Sequence, residues 1–263
     1  MPRTNARSRA LIDAADRLRD AVDRLNFAPP VTHIYNPLRY AWKSHQAYLR
    51  MAPRGDVNAV FLGMNPGPWG MAQTGVPFGE IQLVKDFLKI NEPVDRPALE
   101  NPKRPVEGFD CPRSEVSGRR LWGYFRDQFQ TAQRFFDEHF VTNYCPLVFM
   151  ESGGRNRTPD KLPVGERLPL QQCCDQHLRE VLDILRPRYV VAVGTFAEAC
   201  VKRCRDGLAK SDAPKSSDVT TPWSLVRILH PSPASPAANR DWAGTVHRQL
   251  CEAAVLDGKE HTT

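Results

Sequence analysis

Four short apolar runs, separated by stretches of helical periodicity, constrain the fold of this chain more than any other feature. The runs are Val57–Gly63, Phe140–Tyr144, Tyr189–Gly194 and Leu225–Leu229. Short, nearly continuous apolar runs are typical of strands buried on both faces, as in parallel sheets. Strands that alternate with helices form such sheets through right-handed crossovers. The order therefore predicts an α/β three-layer sandwich, in which helices flank a central, mainly parallel four-stranded sheet.

The segments around these runs carry the helical patterns. Apolar residues recur at helical spacing over about residues 6–25, which predicts an N-terminal amphipathic helix that covers the core. Similar patterns predict helices at Ser117–Phe136, Leu170–Leu185, Thr195–Arg205 and Trp242–Leu256. Tyr40–Met51 fits either a short helix or an irregular segment that faces the ligand.

The organisation of the chain indicates one domain. Residues 91–115 and 206–222 are rich in Pro, charged and small polar residues, so we interpret both stretches as surface loops. The sequence has no internal repeat, and its 263 residues with 41% hydrophobic residues suffice to bury one large core. We therefore expect a single domain over residues 1–263, with a short mobile tail at residues 257–263.

The charge balance favours a polyanionic partner. Lys and Arg number 36 and Asp and Glu number 30, which gives a net charge of +6 and a pI near 9.0. Such charge neutralises phosphates and releases counterions, although many basic proteins bind no nucleic acid. No apolar run approaches the roughly 20 residues of a membrane span, and the N-terminus lacks the apolar core of a signal peptide. We expect an intracellular protein without a membrane partner.

The seven cysteines indicate neither a disulfide framework nor a metal site. Their number is odd and no C-x-x-C pair occurs, which argues against paired disulfides and against a zinc ribbon. Cys200 and Cys204 share a helical face, but one such pair is weak evidence for a metal. An iron–sulfur cluster needs four well-placed ligands, which these spacings do not supply. We expect buried thiols and no bound metal.

The segment from Gly63 to Gly79 follows the first apolar run and has an unusual composition. It contains five glycines and three prolines, which make a rigid backbone able to approach a flat ligand closely. A purely structural Gly/Pro loop explains the composition equally well. Neither Gly-x-Gly-x-x-Gly nor a Walker pattern occurs, so a site that cradles nucleotide phosphates is disfavoured.

Two further polar segments follow apolar runs. Asn143 lies late in the second run, and His230–Trp242 directly follows the fourth. A histidine at a strand end is more often structural than catalytic. However, the carboxyl ends of parallel strands meet at one edge of the sheet, where ligands bind in open α/β folds. This placement beside the glycine-rich segment favours a functional role for His230.

These segments closely resemble those of the single-strand-selective monofunctional uracil-DNA glycosylases. Gly63–Glu80 is similar to the family's water-activating motif almost throughout, and His230-Pro231-Ser232-Pro233 with Asn239 is similar to its catalytic and DNA-inserting loop. Asn143-Tyr144-Cys145-Pro146-Leu147 lies between them, and the resemblance runs from about Tyr35 to Leu250. It implies the uracil-DNA glycosylase fold and an enzyme that removes damaged pyrimidines from DNA. It also implies a monomer that needs neither a metal nor an organic cofactor.

By this resemblance, Asn65 and His230 act at the reacting bond. Hydrolysis of an N-glycosidic bond needs a stabilised oxocarbenium-like sugar, a placed water and a site for the negative charge of the departing base. Asn65 carries an amide where related glycosylases use an aspartate, and an amide orients water but is a poor proton acceptor. We therefore expect a dissociative reaction. His230 would donate a hydrogen bond to uracil O2 without acting as a full general acid.

The resemblance assigns four residues to the base pocket, namely Met64, Gly67, Phe78 and Asn143. The Asn143 amide presents a donor and an acceptor to the Watson–Crick edge of uracil, although the residue by itself suggests a strand-end cap. Phe78 lies thirteen residues after Asn65, the family's spacing for the aromatic ring that stacks on the extruded base. Met64 supplies wall contacts. Gly67 leaves room near C5, consistent with the family's acceptance of 5-hydroxymethyluracil.

Two surfaces are expected to contact DNA. The basic segment 153–167 supplies Arg155, Arg157, Lys161 and Arg167, which would contact phosphates, although a solvated loop is the simpler interpretation. The loop after His230 is expected to act as a wedge when the base flips out. Its DNA-contacting residues are Pro231, Ser232, Pro233, Ala234, Asn239 and Arg240. Family members often carry a basic residue where Ala234 stands, which puts duplex activity in doubt unless Arg240 compensates.

Two other functions compete with uracil removal. The same scaffold, with altered base contacts, would suit a glycosylase for another deaminated base such as hypoxanthine or xanthine. A DNA-binding module that has kept the fold is the non-enzymatic alternative, and the presence of both Asn65 and His230 argues against it. Neither motif carries a lysine that could form a Schiff base with the sugar, so we expect an abasic site without strand cleavage.

Overall fold

The computed structural model describes residues 5–208 and 223–257, which form two sheets flanked by helices. The strands are β1 (His33–Tyr35), β2 (Ala59–Gly63), β3 (His139–Asn143), β4 (Val148–Met150), β5 (Asn156–Arg157), β6 (Tyr189–Val193) and β7 (Ser224–Ile228). The α-helices are α1 (Ala6–Val22), α2 (Pro37–Tyr40), α3 (Trp42–Leu49), α4 (Met71–Thr74), α5 (Ile81–Asp86), α6 (Val116–Phe129), α7 (Ala132–Glu138), α8 (Val164–Leu185), α9 (Thr195–Leu208) and α10 (Pro236–Glu252). Single 3₁₀ turns lie at Gly108–Asp110 and Pro159–Lys161.

The central sheet is parallel and has the strand order β3-β2-β6-β7. All residues of β2 and β6 are buried, which explains why their sequences are continuously apolar. On one face, the ring of Phe61 packs 4.9 Å from Phe125 and 6.3 Å from Phe135, in α6 and α7. The predicted α/β sandwich with a four-stranded parallel sheet is confirmed.

The register of the sheet brings the polar segments to one edge. Gly63, the last residue of β2, lies opposite Asn143, the last residue of β3. β7 ends at Ile228, two residues before His230. Because all of these strands are parallel, the three segments that follow them leave the sheet on the same side.

The N-terminal helix is shorter than its sequence pattern predicts. α1 begins at Ala6, and the preceding Asn5 is its N-cap, because the Asn5 side chain accepts a hydrogen bond from the Ser8 N–H at 2.7 Å. It ends at Val22 rather than Leu25, and its buried residues Leu11, Ala15 and Leu18 belong to the hydrophobic core. The amphipathic interpretation is therefore correct, and the C-terminal boundary differs by three residues.

The predicted helix Ser117–Phe136 is two helices. The chain turns at Gln130, whose φ of 63° is left-handed, and Thr131 then caps α7 by accepting the Arg134 N–H. Two other helices begin earlier than predicted. α8 starts at Val164, and the sequence pattern missed its first turns because they expose Val164 and Leu168 and so lack a core-facing pattern. α10 starts at Pro236, after an N-cap by Ser235, and is kinked at Asp241.

A second, antiparallel sheet of order β1-β4-β5 was not predicted. Its strands have two or three residues each, too few for a two-residue period to emerge from the sequence. Two short helices, α2 and α3, occupy the ambiguous region around Tyr40–Met51. Residues 91–115 form a long connection with one 3₁₀ turn, as expected for a loop.

Parts of two sequence expectations lie outside the described residues. Of the loop expected at residues 206–222, residues 206–208 are instead the end of α9, and residues 209–222 lie outside the described residues. The tail expected at residues 257–263 lies outside them from residue 258 onward. All seven cysteines have free thiols, and Cys200 and Cys204 are buried. Over residues 5–208 and 223–257, no helix is long and apolar enough to cross a membrane.

Candidate active site

A cavity of about 220 Å³ lies at the carboxyl ends of β2, β3 and β7. It is lined by all six residues assigned to catalysis and base binding, namely Met64, Asn65, Gly67, Phe78, Asn143 and His230. A larger groove of about 680 Å³ runs beside Met51, Leu88 and Phe136, but it contains none of the predicted site residues. The chemistry predicted from the sequence is therefore concentrated in the smaller cavity.

Asn65 is held in one orientation by its amide nitrogen. Nδ2 donates to the backbone carbonyl of Leu147 at 3.1 Å, and to that of Pro66 at 3.4 Å. The Leu147 carbonyl belongs to the segment that follows β3, so the end of a neighbouring strand fixes the side chain. This arrangement leaves Oδ1 as a hydrogen-bond acceptor toward the cavity.

His230 enters the cavity as a neutral imidazole. Burial lowers the pKa of His230 below its ordinary value, so the ring carries no charge at neutral pH. Its close approach to β6 depends on Gly194, which has a φ of 90° and whose missing Cβ would lie 3.0 Å from the Cβ of His230. A side chain at residue 194 would therefore push the histidine away from its place.

Phe78 and Asn143 meet over the backbone of Gly63. A Cβ at residue 63 would collide with both the Asn143 amide oxygen and the Phe78 ring. Phe78 has a φ of 53°, and such left-handed strain in a residue other than glycine is typical of functional sites. Within the described part of the chain, the Asn143 amide nitrogen donates only to the thioether of Met71 at 3.4 Å, a weak acceptor that a ligand oxygen would readily replace.

A partly buried ion pair anchors the segment that carries Asn143. The hydroxyl of Tyr144 donates to Asp175 at 2.6 Å, and Arg203 binds both carboxylate oxygens of Asp175 at 2.8 Å each. Burial acts to raise the pKa of Asp175, but hydrogen bonds from Arg203 and Tyr144 outweigh it and hold that pKa below its usual range. The end of β3 is thereby tied to α8 and α9.

Comparisons with known proteins agree with this geometry. The family model described as "Uracil DNA glycosylase superfamily" matches residues 51–250. A single-strand selective monofunctional uracil DNA glycosylase of Mus musculus is 42% identical over 256 residues, which cover 97% of this chain and 88% of the mouse protein. This chain belongs to the single-strand-selective monofunctional uracil-DNA glycosylase family. Its expected class, a hydrolase of N-glycosyl bonds in base-excision repair, is thereby confirmed.

Two further comparisons, one with a curated relative and one with a solved structure, also extend over most of the chain. The Rattus norvegicus protein of that name is 45% identical over 240 residues, covering 91% of this chain and 82% of its own length. The crystal structure of wild-type Pedobacter heparinus SMUG2 matches with a TM-score of 0.63, over 94% of this chain and 99% of that one. Its sequence identity is 15%, so this likeness shows the fold alone.

In this glycosylase, the basic segment lies at the mouth of the cavity, but its four cations differ. Asn156 and Thr158, which alternate with the arginines, line the cavity itself. Arg157 pairs with Glu151 at 3.0 Å, Lys161 lies 3.4 Å from Asp160, and Arg167 donates to the Asp160 carbonyl at 3.4 Å. Arg155 is exposed and has no carboxylate partner in the described parts of the chain. It is the cation most available to a phosphate.

The expected wedge loop, residues 231–240, is irregular only over residues 231–235, because α10 begins at Pro236. The irregular part is folded on itself and is held by α6. The Asn239 amide donates to the Pro233 carbonyl at 2.9 Å, and the Ala234 N–H donates to the Ser232 hydroxyl at 3.2 Å. Pro233 and Ala234 are exposed at the tip, and Arg240 is also exposed. The loop therefore presents a small, apolar tip to solvent.

Arg120 of α6, which the sequence analysis did not single out, clamps this loop. Its guanidinium donates to the carbonyls of Pro231 and Ser232 at 3.1 and 3.2 Å, and to the Asn239 amide oxygen at 2.8 Å. All three acceptors belong to the expected wedge loop that follows His230. Nothing in the sequence distinguishes Arg120 from its neighbour Arg119, which is exposed.

Arg120→Met should lower the single-turnover rate of uracil release by about tenfold, because small misplacements of catalytic groups are costly. It should also raise amide exchange in residues 231–240. Arg119→Met, on the same helix, is the matched control and should leave both quantities unchanged. Equal effects of the two substitutions would show that charge, and not the clamp, is responsible.

Glu115 is the second site residue that the sequence analysis missed. It was placed at the end of the surface loop 91–115, whereas its carboxyl group lines the cavity. Met71 and Ser117 also line the cavity without having been predicted. No local sequence signal marks these residues, since each reaches the site through packing against distant segments.

Proposed function

We propose that this chain hydrolyses the N-glycosidic bond of uracil in DNA, releasing the base and leaving an abasic site. The observation that carries the proposal is the meeting of Asn65, His230, Phe78 and Asn143 in one cavity of about 220 Å³. This volume lies below the range of about 300–1,000 Å³ that is usual for drug-sized ligands, so it suits a single base better than a nucleotide. The names of the curated relatives describe the same activity.

Base selection follows from the two groups that meet over Gly63. The Phe78 ring offers a face on which a flipped pyrimidine stacks. The Asn143 amide then donates to uracil O4 in place of the Met71 thioether and accepts from N3–H. Cytosine has an amine where uracil has O4 and lacks the N3 proton, so both contacts would be lost.

The chemistry assigned to the site is dissociative. As the bond lengthens, the base gains negative charge and the sugar becomes oxocarbenium-like. The neutral His230 imidazole donates to the developing anion at O2 and does not need to transfer a proton. Asn65 Oδ1 orients the water that captures the sugar. None of the described residues that line the cavity is a lysine, so the reaction stops at the abasic site.

The proposed substrates include 5-substituted uracils such as 5-hydroxymethyluracil, in both single- and double-stranded DNA. Flipping the base out of a duplex costs a few kcal/mol and less from a single strand, which favours single-stranded DNA. The small tip at Ala234 fills the vacated space poorly, which reinforces that preference. Asn239 and Arg240 flank the tip and are available to the strand.

A panel of synthetic oligonucleotides tests this proposal. Each would contain one lesion, namely uracil, 5-hydroxymethyluracil, hypoxanthine or xanthine, in single- and double-stranded form. We expect release of uracil and 5-hydroxymethyluracil, faster from single strands. Release of hypoxanthine or xanthine without uracil would place the chain in a different substrate class. Tight binding to damaged DNA without release of any base would indicate a binding module.

Arg155→Glu should weaken DNA binding and flatten its salt dependence. Loss of one phosphate contact reduces the slope of log K against log salt by about 0.9 for duplex DNA and about 0.7 for single strands. Arg54→Glu is the control, since Arg54 is exposed just before β2, at the opposite end of the sheet from the cavity. Binding titrations at several salt concentrations measure both slopes. An unaltered slope for Arg155→Glu would remove this residue from the DNA-binding surface.

A further inference from the structure

Glu115 lines the cavity, and its carboxyl group lies against the backbone of Gly67, Gly70 and Gly118. The residue is half-buried as a whole, but its Oε2 is shielded from solvent and has no hydrogen-bond partner within the described residues. It stands at the N-cap position of α6, where the backbone N–H groups of Gly118 and Gly67 lie near its carboxyl group.

The glycine-rich segment is shaped around this carboxyl group. A Cβ at Gly67 would collide with Oε1, and a Cβ at Gly70 would collide with Oε2. A Cβ at Gly118 would lie 2.9 Å from Oε2. The space that Gly67 was expected to leave beside the base is therefore bordered by a carboxyl group. Burial of a polar oxygen without a partner is unfavourable, and a purely structural residue would avoid it.

The surroundings favour the protonated form of this group. Burial, with the nearby Glu80 as a second cause, raises the pKa of Glu115 to about 7, and the N–H groups of Gly118 and Gly67 only partly oppose this. The Glu80 carboxylate itself is fully engaged, by the Ser114 hydroxyl at 2.8 Å and the Leu83 N–H at 2.9 Å.

The other charged or titratable groups nearby do not supply a counter-charge. His230, across the cavity, is neutral because burial lowers its pKa. Arg113 lies over the outer ring of Trp69, with its guanidinium carbon 5.6 Å from the ring centroid. Among the described residues, no lysine or arginine lines the cavity. An ionised Glu115 would therefore face a bound base without neutralisation.

We infer that Glu115 is a base-contacting residue that acts in its protonated form, donating a hydrogen bond to uracil O4 from the Gly67 side. The inference rests on the proposed function and extends it. Phe78 takes the face of the ring, Asn143 its Watson–Crick edge and His230 its O2 side, which leaves the O4–C5 side for Glu115. Uracil O4 has two lone pairs, so it accepts from Asn143 and from Glu115 together.

This contact bears on both rate and selectivity. The departing uracil anion spreads its charge over O2 and O4, so a donor at O4 stabilises it together with His230 at O2. When Glu115 loses its proton, the donor disappears and a negative charge opposes the leaving base. The bond to O4 also disfavours cytosine, since the protonated carboxyl would face an amine donor at that position.

Single-turnover release of uracil from a single-stranded oligonucleotide, followed from about pH 5.5 to 8.5, tests the inference. The wild-type rate should fall with a midpoint near the pKa of about 7 of Glu115. Glu115→Gln keeps a neutral donor of the same shape, so it should lack this decline and exceed the wild-type rate at pH 8.5 by about tenfold or more. Glu107→Gln, at an exposed carboxylate of the preceding loop, is the control and should behave as wild type.

The possible outcomes separate the inference from the proposed function. An identical alkaline decline in wild type and Glu115→Gln would overturn the role of Glu115 while leaving uracil removal intact. An equal loss of rate at every pH in a folded Glu115→Gln protein would show a structural role only. Absence of uracil release by the wild type at any pH would refute the proposed function itself. Should Glu115→Gln fail to fold, Glu115→Asp must shift the midpoint, and an unshifted midpoint would overturn the inference.

Discussion

Replacing Asn65 with alanine should slow single-turnover uracil release by about 10²-fold or more, because water capture then relies on an unpositioned molecule. In a dissociative reaction the sugar cation and the uracil anion form first, and they recombine unless water intercepts them. In the proposed mechanism Asn65 Oδ1 would hold that water, and the Leu147 carbonyl fixes the amide by accepting a hydrogen bond from Nδ2 at 3.1 Å. Removing the amide should therefore increase return to substrate rather than prevent bond cleavage.

Two controls separate this effect from damage to the loop. Affinity for DNA that carries an abasic site should stay within about threefold of wild type, since binding energy comes mainly from phosphate contacts. Asn65→Asp keeps the acceptor but places a carboxylate against the Leu147 carbonyl, so the side chain should turn away and recover only part of the rate. Unchanged uracil release by Asn65→Ala would remove this residue from the mechanism.

The sheet and its catalytic edge were predictable because strands that are buried on both faces have continuously apolar sequences. The two inner strands, β2 and β6, are buried and apolar along their whole length. The parallel connections then bring Gly63, Asn143 and His230 to one edge of the sheet. The motifs that resemble the glycosylase family supplied the roles of these residues. The structure places all six catalytic and base-binding candidates in one cavity.

Glu115 and Arg120 show that local sequence patterns do not reveal contacts between distant segments of the chain. Glu115 has the appearance of a loop carboxylate, and only packing against Gly67 and Gly70 encloses it. Arg120 has the appearance of any solvated helix arginine until the wedge loop folds over it. Arg155 and Arg157 illustrate the same point, since a basic cluster does not reveal that Glu151 neutralises one member and leaves the other available.

Element boundaries failed for a related reason. Periodicity follows contact with the core, so the first turns of α8, which expose Val164 and Leu168, carry no signal. The early start of α10 could have been predicted, because Ser235 followed by Pro236 is a typical N-cap and first-turn pair. The break at Gln130 could not have been predicted, because an otherwise continuous apolar pattern spans it.

Replacing His230 with alanine should lower the single-turnover rate of uracil release by about 10²–10³-fold, the usual cost of losing one donor to a developing anion. The effect should be large because burial lowers the pKa of His230, so in the proposed mechanism a neutral imidazole would donate its N–H to the O2 charge in a dry environment. DNA affinity should change little. His230→Gln should restore part of the rate, since its amide is also a donor. A defect confined to DNA binding would contradict the role at O2.

The His230 and Asn65 substitutions together distinguish a stepwise reaction from a concerted one. In a stepwise reaction, His230 lowers the energy of the separated ions, and Asn65 determines whether water captures the sugar cation before the ions recombine. The two rate losses then multiply, to about 10⁴-fold or more. If water attack and base departure occurred in one transition state, both residues would act as a unit and the double variant would lose little beyond either single one. An amide at residue 65 cannot deprotonate water early, so we expect multiplication. In the single His230 variant, the reduced rate should still decline at alkaline pH because Glu115 loses its proton.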